Sequence, residues 1–154
     1  MIRQVKRAAL AVLLAATALA GCGGDVDPAT TPAGRAQVEY LEELYDGRFG
    51  QAYASLHPVH KQIVSRSLFS DCAADTIPVG QLDSIEVLDV FDDPVQISDT
   101  EEQQAKAVRV RLTSDDGKSI TFVNHEVKDG DRWYWILNES AISAYKAGRC
   151  PSGG

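Results

Sequence analysis

In the first half of the chain beyond its amino-terminal segment, apolar residues recur at steps of three and four, the spacing of one helix face. The pattern predicts helices over 35–45, 48–56 and 59–69. Asp46-Gly47 ends the first helix, because glycine readily takes the left-handed conformation that follows a helix. Pro58 ends the second, since the residue before a proline avoids helical geometry.

After Pro78 the apolar residues alternate, as is typical of β-strands. Strands are predicted over 84–91, 104–114, 119–128 and 132–138. Turns containing Asp-Gly, at 115–118 and 129–131, join the last three of these. A closing helix is predicted over 140–147, with Asn138 or Ser140 as its cap. Helices followed by an antiparallel meander imply an α+β fold, with helices packed on one face of a curved sheet.

The strand over 104–114 has one dry face, formed by Val108, Val110 and Leu112. The strand over 119–128 leaves its inward face undecided. One set of alternating residues includes His125 and the other includes Asn124 and Glu126. Whichever set faces inward buries a polar group that must be paired, and a structural role is favoured over catalysis.

The first 21 residues have the layout of a secretory signal peptide, with a basic stretch, an apolar run and a small-residue site. As a helix the run Ala8–Ala20 would span about 20 Å, less than the ~30 Å hydrocarbon core, so it does not predict a permanent membrane span.

The end of this run and the two residues after it, Leu19-Ala20-Gly21-Cys22, resemble the bacterial lipobox. The resemblance implies cleavage before Cys22 and attachment of diacylglycerol to its sulfur. An anchored protein of the cell envelope, on the outer face of the cytoplasmic membrane, is therefore expected. The alternative is an ordinary secreted protein with a chance cysteine. The Gly-, Pro- and Thr-rich residues that follow predict a flexible tether over 22–34 and a single domain over 35–154.

Charge narrows the range of partners. Without its three amino-terminal bases the chain has 12 Lys and Arg residues against 22 Asp and Glu residues, a net charge of −10. This balance argues against nucleic acid and against an anionic lipid surface as partners.

Residues 67–105 contain ten acids and no Lys or Arg. They are interpreted as a solvated face, with a basic protein partner as the alternative. A calcium site at Asp92, Asp93 and Asp99 is weaker, because the central glycine of a calcium loop is missing.

Two cysteines remain beside Cys22. Outside the cytoplasm, Cys72 and Cys150 are expected to form a disulfide. The closed loop of about 79 residues corresponds to roughly 4–5 kcal/mol in the chain-entropy account. A reactive or metal-binding thiol pair is the alternative, but no C-x-x-C motif supports it.

Few residues suggest chemistry. His57 and His60 flank Pro58 and are interpreted as turn and surface residues, without an evident third metal ligand. Trp133 and Trp135 share a strand face, where they either pack in the core or line a ligand pocket. The candidate pocket residues are therefore Trp133, Trp135 and His125. No catalytic residue, metal or cofactor is predicted.

Four segments of the chain together suggest a family. They are YLEELYDGRFGQAYASLHP, a helix end containing cysteine, the basic alternating strand and DGDRWYWIL. These segments resemble the nuclear-transport-factor-2-like (cystatin-like) superfamily, and in particular its small lipoproteins from high-GC Gram-positive bacteria. The resemblance covers about residues 35–150 and implies a cone with a pocket between the helices and the concave sheet. Its members include ketosteroid-isomerase-like enzymes and inert binding modules, so the fold does not decide the function.

The expectation is a lipid-anchored envelope protein with a non-catalytic binding or interaction domain, for which a small apolar molecule is one candidate ligand. The alternative is an isomerase- or dehydratase-like enzyme that uses an acid–base residue in its pocket. An enzyme should bury a titratable group deep in the pocket, with a strongly shifted pKa. A binding module should present a dry pocket or an exposed apolar patch, and a structural spacer neither.

Overall fold

A computed structural model describes residues 26–152. The predicted signal peptide, the lipobox and Cys22 lie outside these residues. The helices are α1 (Pro32–Tyr45), α2 (Phe49–Ala54), α3 (Arg66–Thr76) and α4 (Glu139–Lys146), with 3₁₀ turns at Pro28–Thr30 and His60–Gln62. The strands are β1 (Leu82–Asp92), β2 (Val95–Ser98), β3 (Glu101–Gln103), β4 (Ala105–Ser114), β5 (Ser119–Asp129) and β6 (Arg132–Trp135). Within the described part of the chain, no helix is long and apolar enough to cross a membrane.

The predicted α+β fold is confirmed. Four strands form a curved antiparallel sheet in the order β1-β4-β5-β6, and the helices pack on one of its faces. Val108, Val110 and Leu112 of β4 lie in the main core with Leu41 and Leu44 of α1. This is the dry face that the alternation along β4 predicts.

A bulge in β1 changes which of its residues face the helices. Strict alternation along a strand would place Val87 and Asp89 on one face, but the register shifts between these two residues. As a result Val90 joins Val87 on the inner face, opposite Val108 and Val110 of β4, and Asp89 lies outside. The bulge thus corrects the assignment of faces beyond Val87.

The third predicted helix, over 59–69, is wrong. Only a 3₁₀ turn forms at His60–Gln62, and α3 begins at Arg66. The Ser65 hydroxyl caps α3 by accepting a hydrogen bond from the Leu68 N–H at 3.2 Å. Helical spacing across Val59–Phe69 therefore joined two separate elements.

The folded domain begins earlier than residue 35, which corrects the predicted tether. Thr31 caps α1 by accepting a hydrogen bond from the Gly34 N–H at 3.0 Å, and Ala33 is buried. A side chain on Gly34 would collide with the Pro28 carbonyl oxygen, so the turn at Pro28–Thr30 packs closely against the first turn of α1.

A second, smaller core lies on the other side of the sheet. The hairpin of β2 and β3, which the sequence patterns did not predict, places Ile97 against Ala105 of β4 and Val127 of β5. The last strand is also shorter than predicted, because β6 ends at Trp135 rather than at residue 138.

Cys72 of α3 and Cys150, after α4, form the predicted disulfide, with their Cα atoms 5.3 Å apart. The bond attaches the end of the chain to the helical layer. It also holds α4, which Asn138 caps through a 2.8 Å hydrogen bond from the Ala141 N–H.

Candidate functional site

A cavity of about 440 Å³ lies between α1, the end of α2 and the strands β5 and β6. Its size is within the range of small-molecule sites. Among the side chains that line it are three carboxyl groups and three aromatic rings: Glu39, Glu43, Glu126, Tyr40, Trp133 and Trp135.

Glu126 is the most unusual residue of this cavity. Its side chain is 1% exposed, and its Oε1 atom has no hydrogen-bond partner among residues 26–152. Burial raises the pKa of Glu126 well above the ordinary glutamate value, because the charged form is penalised away from water. The carboxyl group is therefore uncharged and able to donate a hydrogen bond at a pH where an exposed glutamate is ionised.

The register of the sheet explains this position. Glu126 on β5 lies directly between Lys106 on β4 and Trp135 on β6. The Lys106 Nζ atom is engaged elsewhere, 2.7 Å from Asp92 Oδ1. The neighbouring strand thus supplies a base beside Glu126, but its ammonium group pairs with another acid.

Two stacked rings form one wall of the cavity. The centroids of Tyr40 and Trp135 are 4.3 Å apart, with an angle of 24° between the planes. The indole Nε1–H of Trp135 donates a 2.8 Å hydrogen bond to the Ala52 carbonyl oxygen, which orients the ring. Burial raises the pKa of Tyr40 far above its ordinary value, so its hydroxyl remains protonated.

Glu43 gives the cavity a second unpartnered carboxyl oxygen. Its Oε2 atom is buried and has no hydrogen-bond partner in the part of the chain that the structure describes. Burial, and secondarily the charge of Glu39, raise the pKa of Glu43. Acidic character therefore extends from Glu126 along the α1 side of the cavity.

The candidate pocket residues of the sequence analysis divide between the two faces of the sheet. Trp133 and Trp135 line the cavity. His125 does not, because it faces the other side of β5, where its Nε2 atom lies 2.8 Å from Asp93 Oδ2. His125 is therefore corrected to a partly buried residue of the outer face that contacts Asp93, and its neighbour Glu126 takes its place in the cavity.

The alternation along β5 identified both residues but did not choose between them. Pairing β5 with β4 decides the question, because Asn124 lies opposite the buried Val108. Had the dry face of the strand over 104–114 been used to set the register, Glu126 could have been placed inside from the sequence.

His57 and His60 are buried, which corrects their assignment to the surface. The His60 Nδ1 atom accepts a 2.8 Å hydrogen bond from the Leu137 N–H, and its Nε2 atom lies 3.1 Å from the Ile97 carbonyl oxygen. Burial lowers the pKa of both histidines. His60 thus joins the β2–β3 hairpin to the segment after β6, and the sequence carried no signal of this contact because its partners are backbone groups.

A second cavity, of about 360 Å³, lies under α4 on the far side of the Tyr40–Trp135 pair. Residues of α3, α4 and the segment after Cys150 enclose it. Its lining contains the Asn124 side chain but no carboxyl group, so the acidic cavity is the stronger candidate for chemical recognition.

The acidic stretch 67–105 is partly neutralised within the domain. Three of its acids pair with bases of β4: Glu86 with Arg111 at 2.8 Å, Asp89 with Arg109 at 3.9 Å, and Asp92 with Lys106 at 2.7 Å. Asp93 pairs with His125. The bases of β4 and the acids of β1 therefore form ion pairs across two neighbouring strands.

Comparison with protein-family models and with curated proteins yields no match to this chain. The geometry of the cavity therefore provides the main evidence on function.

Proposed function

We propose that this protein is a lipid-anchored component of the cell envelope whose domain binds a small molecule in the cavity between α1 and the sheet. Glu126 is the main recognition group of that cavity. The lipobox-like segment around Cys22 supports the anchor, and the helices packed on a concave sheet support a nuclear-transport-factor-2-like domain.

The observation that carries this proposal is the unpartnered carboxyl group of Glu126. A buried polar atom without a hydrogen bond costs roughly 1–3 kcal/mol of stability. Such a cost inside a cavity of ligand size is understandable when a ligand supplies the missing partner. A ligand with a polar group directed at Glu126 therefore fits better than the wholly apolar molecule that the sequence suggested.

The scattered positions of the large exposed apolar residues favour a binding cavity over an apolar docking surface. In the described part of the chain they are Val26, Val79, Ile120 and Val123. Val26 and Val79 lie on separate segments, and Ile120 and Val123 belong to opposite faces of β5. They do not form one patch of the kind that marks protein interfaces.

The test is co-purification from the native envelope. The full chain, extracted in a non-ionic detergent, should carry a small molecule that native mass spectrometry detects. Ala54→Trp places a large side chain at the cavity from an exposed position on α2 and should abolish this adduct. Ala74→Trp, at an exposed position of α3 away from the cavity, is the matched control. Equal occupancy in both variants would contradict the proposal.

A second candidate is an acid–base enzyme, favoured by the raised pKa of Glu126, which brings a carboxyl group closer to neutral pH. In that case Glu126→Gln would abolish turnover of the co-purified molecule while leaving its binding intact. Loss of binding without any measurable turnover in the native chain would favour the binding module.

The anchor has its own test. Cys22→Ser should leave the protein unprocessed or release it from the membrane fraction, because the lipid chains that hold it are absent. Mature-sized protein that stays in the membrane after this change would contradict the lipid attachment.

A basic protein partner for 67–105 remains a secondary proposal. Exposed acids that have no ion pair in the structure, including Asp71, Asp75 and Glu102, support it. The pairing of Glu86, Asp89 and Asp92 with β4 reduces the charge available for such a partner.

A further inference from the structure

The acids and the bases around the cavity differ in whether they have partners. Glu39, Glu43 and Glu126 line it, and Glu43 and Glu126 each have a buried carboxyl oxygen without a partner. The nearby bases, by contrast, are held by other groups.

Each of these bases has an identified partner. The Arg35 Nη1 atom donates a 2.7 Å hydrogen bond to the Thr30 carbonyl oxygen. The Arg132 guanidinium lies over the Tyr134 ring, 5.5 Å from its centroid, and the Lys106 ammonium pairs with Asp92. A ligand with a positive charge would therefore find carboxyl oxygens that have no partner, whereas each of these bases already makes a contact within the domain.

The remaining walls also favour a cation. Trp133 lines the same cavity beside the Tyr40–Trp135 stack, and aromatic rings attract cations through their π faces, most strongly where water is excluded. Cages of aromatic rings are a known environment of quaternary ammonium groups in proteins.

We infer that the ligand of this cavity is an organic cation, bound between the aromatic walls with its positive charge against Glu126. This inference rests on the proposed binding function and names its ligand class. Binding ionises Glu126, so one proton leaves the carboxyl group for solvent as the cation enters.

The proton release follows from the surroundings of Glu126. The groups that face it are Tyr40 on α1, Lys106 on β4 and Trp135 on β6. The other charged groups around the cavity are Glu39, Glu43, Arg35 and Arg132. Tyr145 of α4 lies near Tyr40. Ionisation without a cation would bury a charge whose neighbouring base is already paired, which is costly. A cation removes that cost.

The test uses three probes of similar size on the full chain in a non-ionic detergent. They are choline, its uncharged isostere 3,3-dimethylbutanol and the anion 3,3-dimethylbutyrate. Binding is followed through the indole N–H resonances of Trp133 and Trp135. Choline should bind more tightly than the other two by about tenfold or more, since cation–π attraction and the carboxylate act on it alone.

The pH dependence identifies the group responsible. Choline has no titratable group in the working range, so any change in its affinity belongs to the protein. Below the pKa of Glu126 the affinity should rise about tenfold for each pH unit, because only the ionised carboxyl group pairs with the cation. Glu126→Gln should remove this dependence and weaken choline binding about thirtyfold. His125→Ala, on the opposite face of the same strand, should change neither.

The outcomes separate this inference from the proposed function. If 3,3-dimethylbutanol or 3,3-dimethylbutyrate binds as tightly as choline, and Ala54→Trp blocks it, the cavity is a binding site and the cation inference is wrong. If choline binds equally to wild type and Glu126→Gln, the inference is also wrong. If none of the probes binds while a molecule still co-purifies, the binding function stands and the cation inference falls.

Discussion

Glu126 and His60 are both fully buried titratable residues, and their hydrogen bonding differs. Both ring nitrogens of His60 have backbone partners, at 2.8 and 3.1 Å. The Oε1 atom of Glu126 has none, and Glu126 lines a cavity whereas His60 lines none of those described. A buried polar group whose bonds are satisfied holds the structure together. A buried polar group left unsatisfied beside empty space is better explained by recognition.

The two residues also differ in the charge state that the fold requires. Because the Leu137 N–H donates to Nδ1 of His60, that nitrogen cannot carry a proton, and the ring is neutral. The carboxyl group of Glu126 is likewise neutral, because burial raises its pKa. Acid should therefore destabilise the histidine site, and base the glutamate site.

The largest expected effect is that of His60→Ala. It leaves the Leu137 N–H and the Ile97 carbonyl without their side-chain partner and creates a cavity, so the free energy of unfolding should fall by about 3 kcal/mol. Urea denaturation at pH 7 measures this loss. A change below about 1 kcal/mol would show that His60 does not join the hairpin to the end of the sheet.

The second expected effect is that Glu126→Gln removes the loss of stability that wild type shows as pH rises. The native state retains the Glu126 proton above the ordinary pKa of 4.5, which the unfolded chain does not. Stability should therefore fall as pH rises above 4.5, by at most about 1.4 kcal/mol per unit, until the native pKa is reached. The amide of Gln cannot ionise, so the variant should lack this pH dependence and be more stable than wild type at pH 7.

Denaturation of both proteins from pH 4 to pH 8 tests this difference. The two curves should converge near pH 4, where wild-type Glu126 is protonated in both states. A variant that is less stable than wild type at pH 7 would indicate that Glu126 is paired and structural.

The third expected effect is acid destabilisation through His60 and His57. Their native pKa values lie below the ordinary 6.5, because burial disfavours the charged ring. The unfolded chain therefore binds protons first, and stability should fall as pH drops below about 6.5. Glu126→Gln should still lose stability as the pH drops, but it should not show the loss that ionisation of Glu126 causes as the pH rises. An acid limb absent from both proteins would contradict the neutral state assigned to His60.

The smallest expected effect is that of His125→Ala. His125 is partly exposed and pairs with the half-exposed Asp93 at 2.8 Å, so its removal should cost less than about 1 kcal/mol. Thermal unfolding measures this change. A cost as large as that of His60→Ala would contradict the minor structural role assigned to the His125–Asp93 contact.

These residues also show how far the sequence leads. The alternation of β4 and the helical spacing of α1 predicted both elements and the α+β fold, because each element buries one continuous face. The bulge after Val87 and the start of α3 at Arg66 were not predicted, since both depend on local hydrogen bonding rather than on periodicity.

The candidate site was harder to predict for a related reason. Trp133 and Trp135 are large aromatic residues and attract attention in the sequence. Glu126 looks like an ordinary strand glutamate, and only its pairing with β4 and β6 places it inside. His60 was misassigned because its partners, Leu137 and Ile97, contribute backbone atoms that no side-chain pattern reveals.

The pKa of Glu126 in the ligand-free protein shows most directly whether its carboxyl group is neutral until a cation binds. Carbon-13 NMR of the side-chain carboxyl groups, assigned by the signal that disappears in Glu126→Gln, gives that value by titration. Glu126 should remain protonated well above pH 4.5, and saturating choline should lower its pKa. A resonance that titrates near 4.5 in the free protein and is unchanged by choline would contradict both expectations.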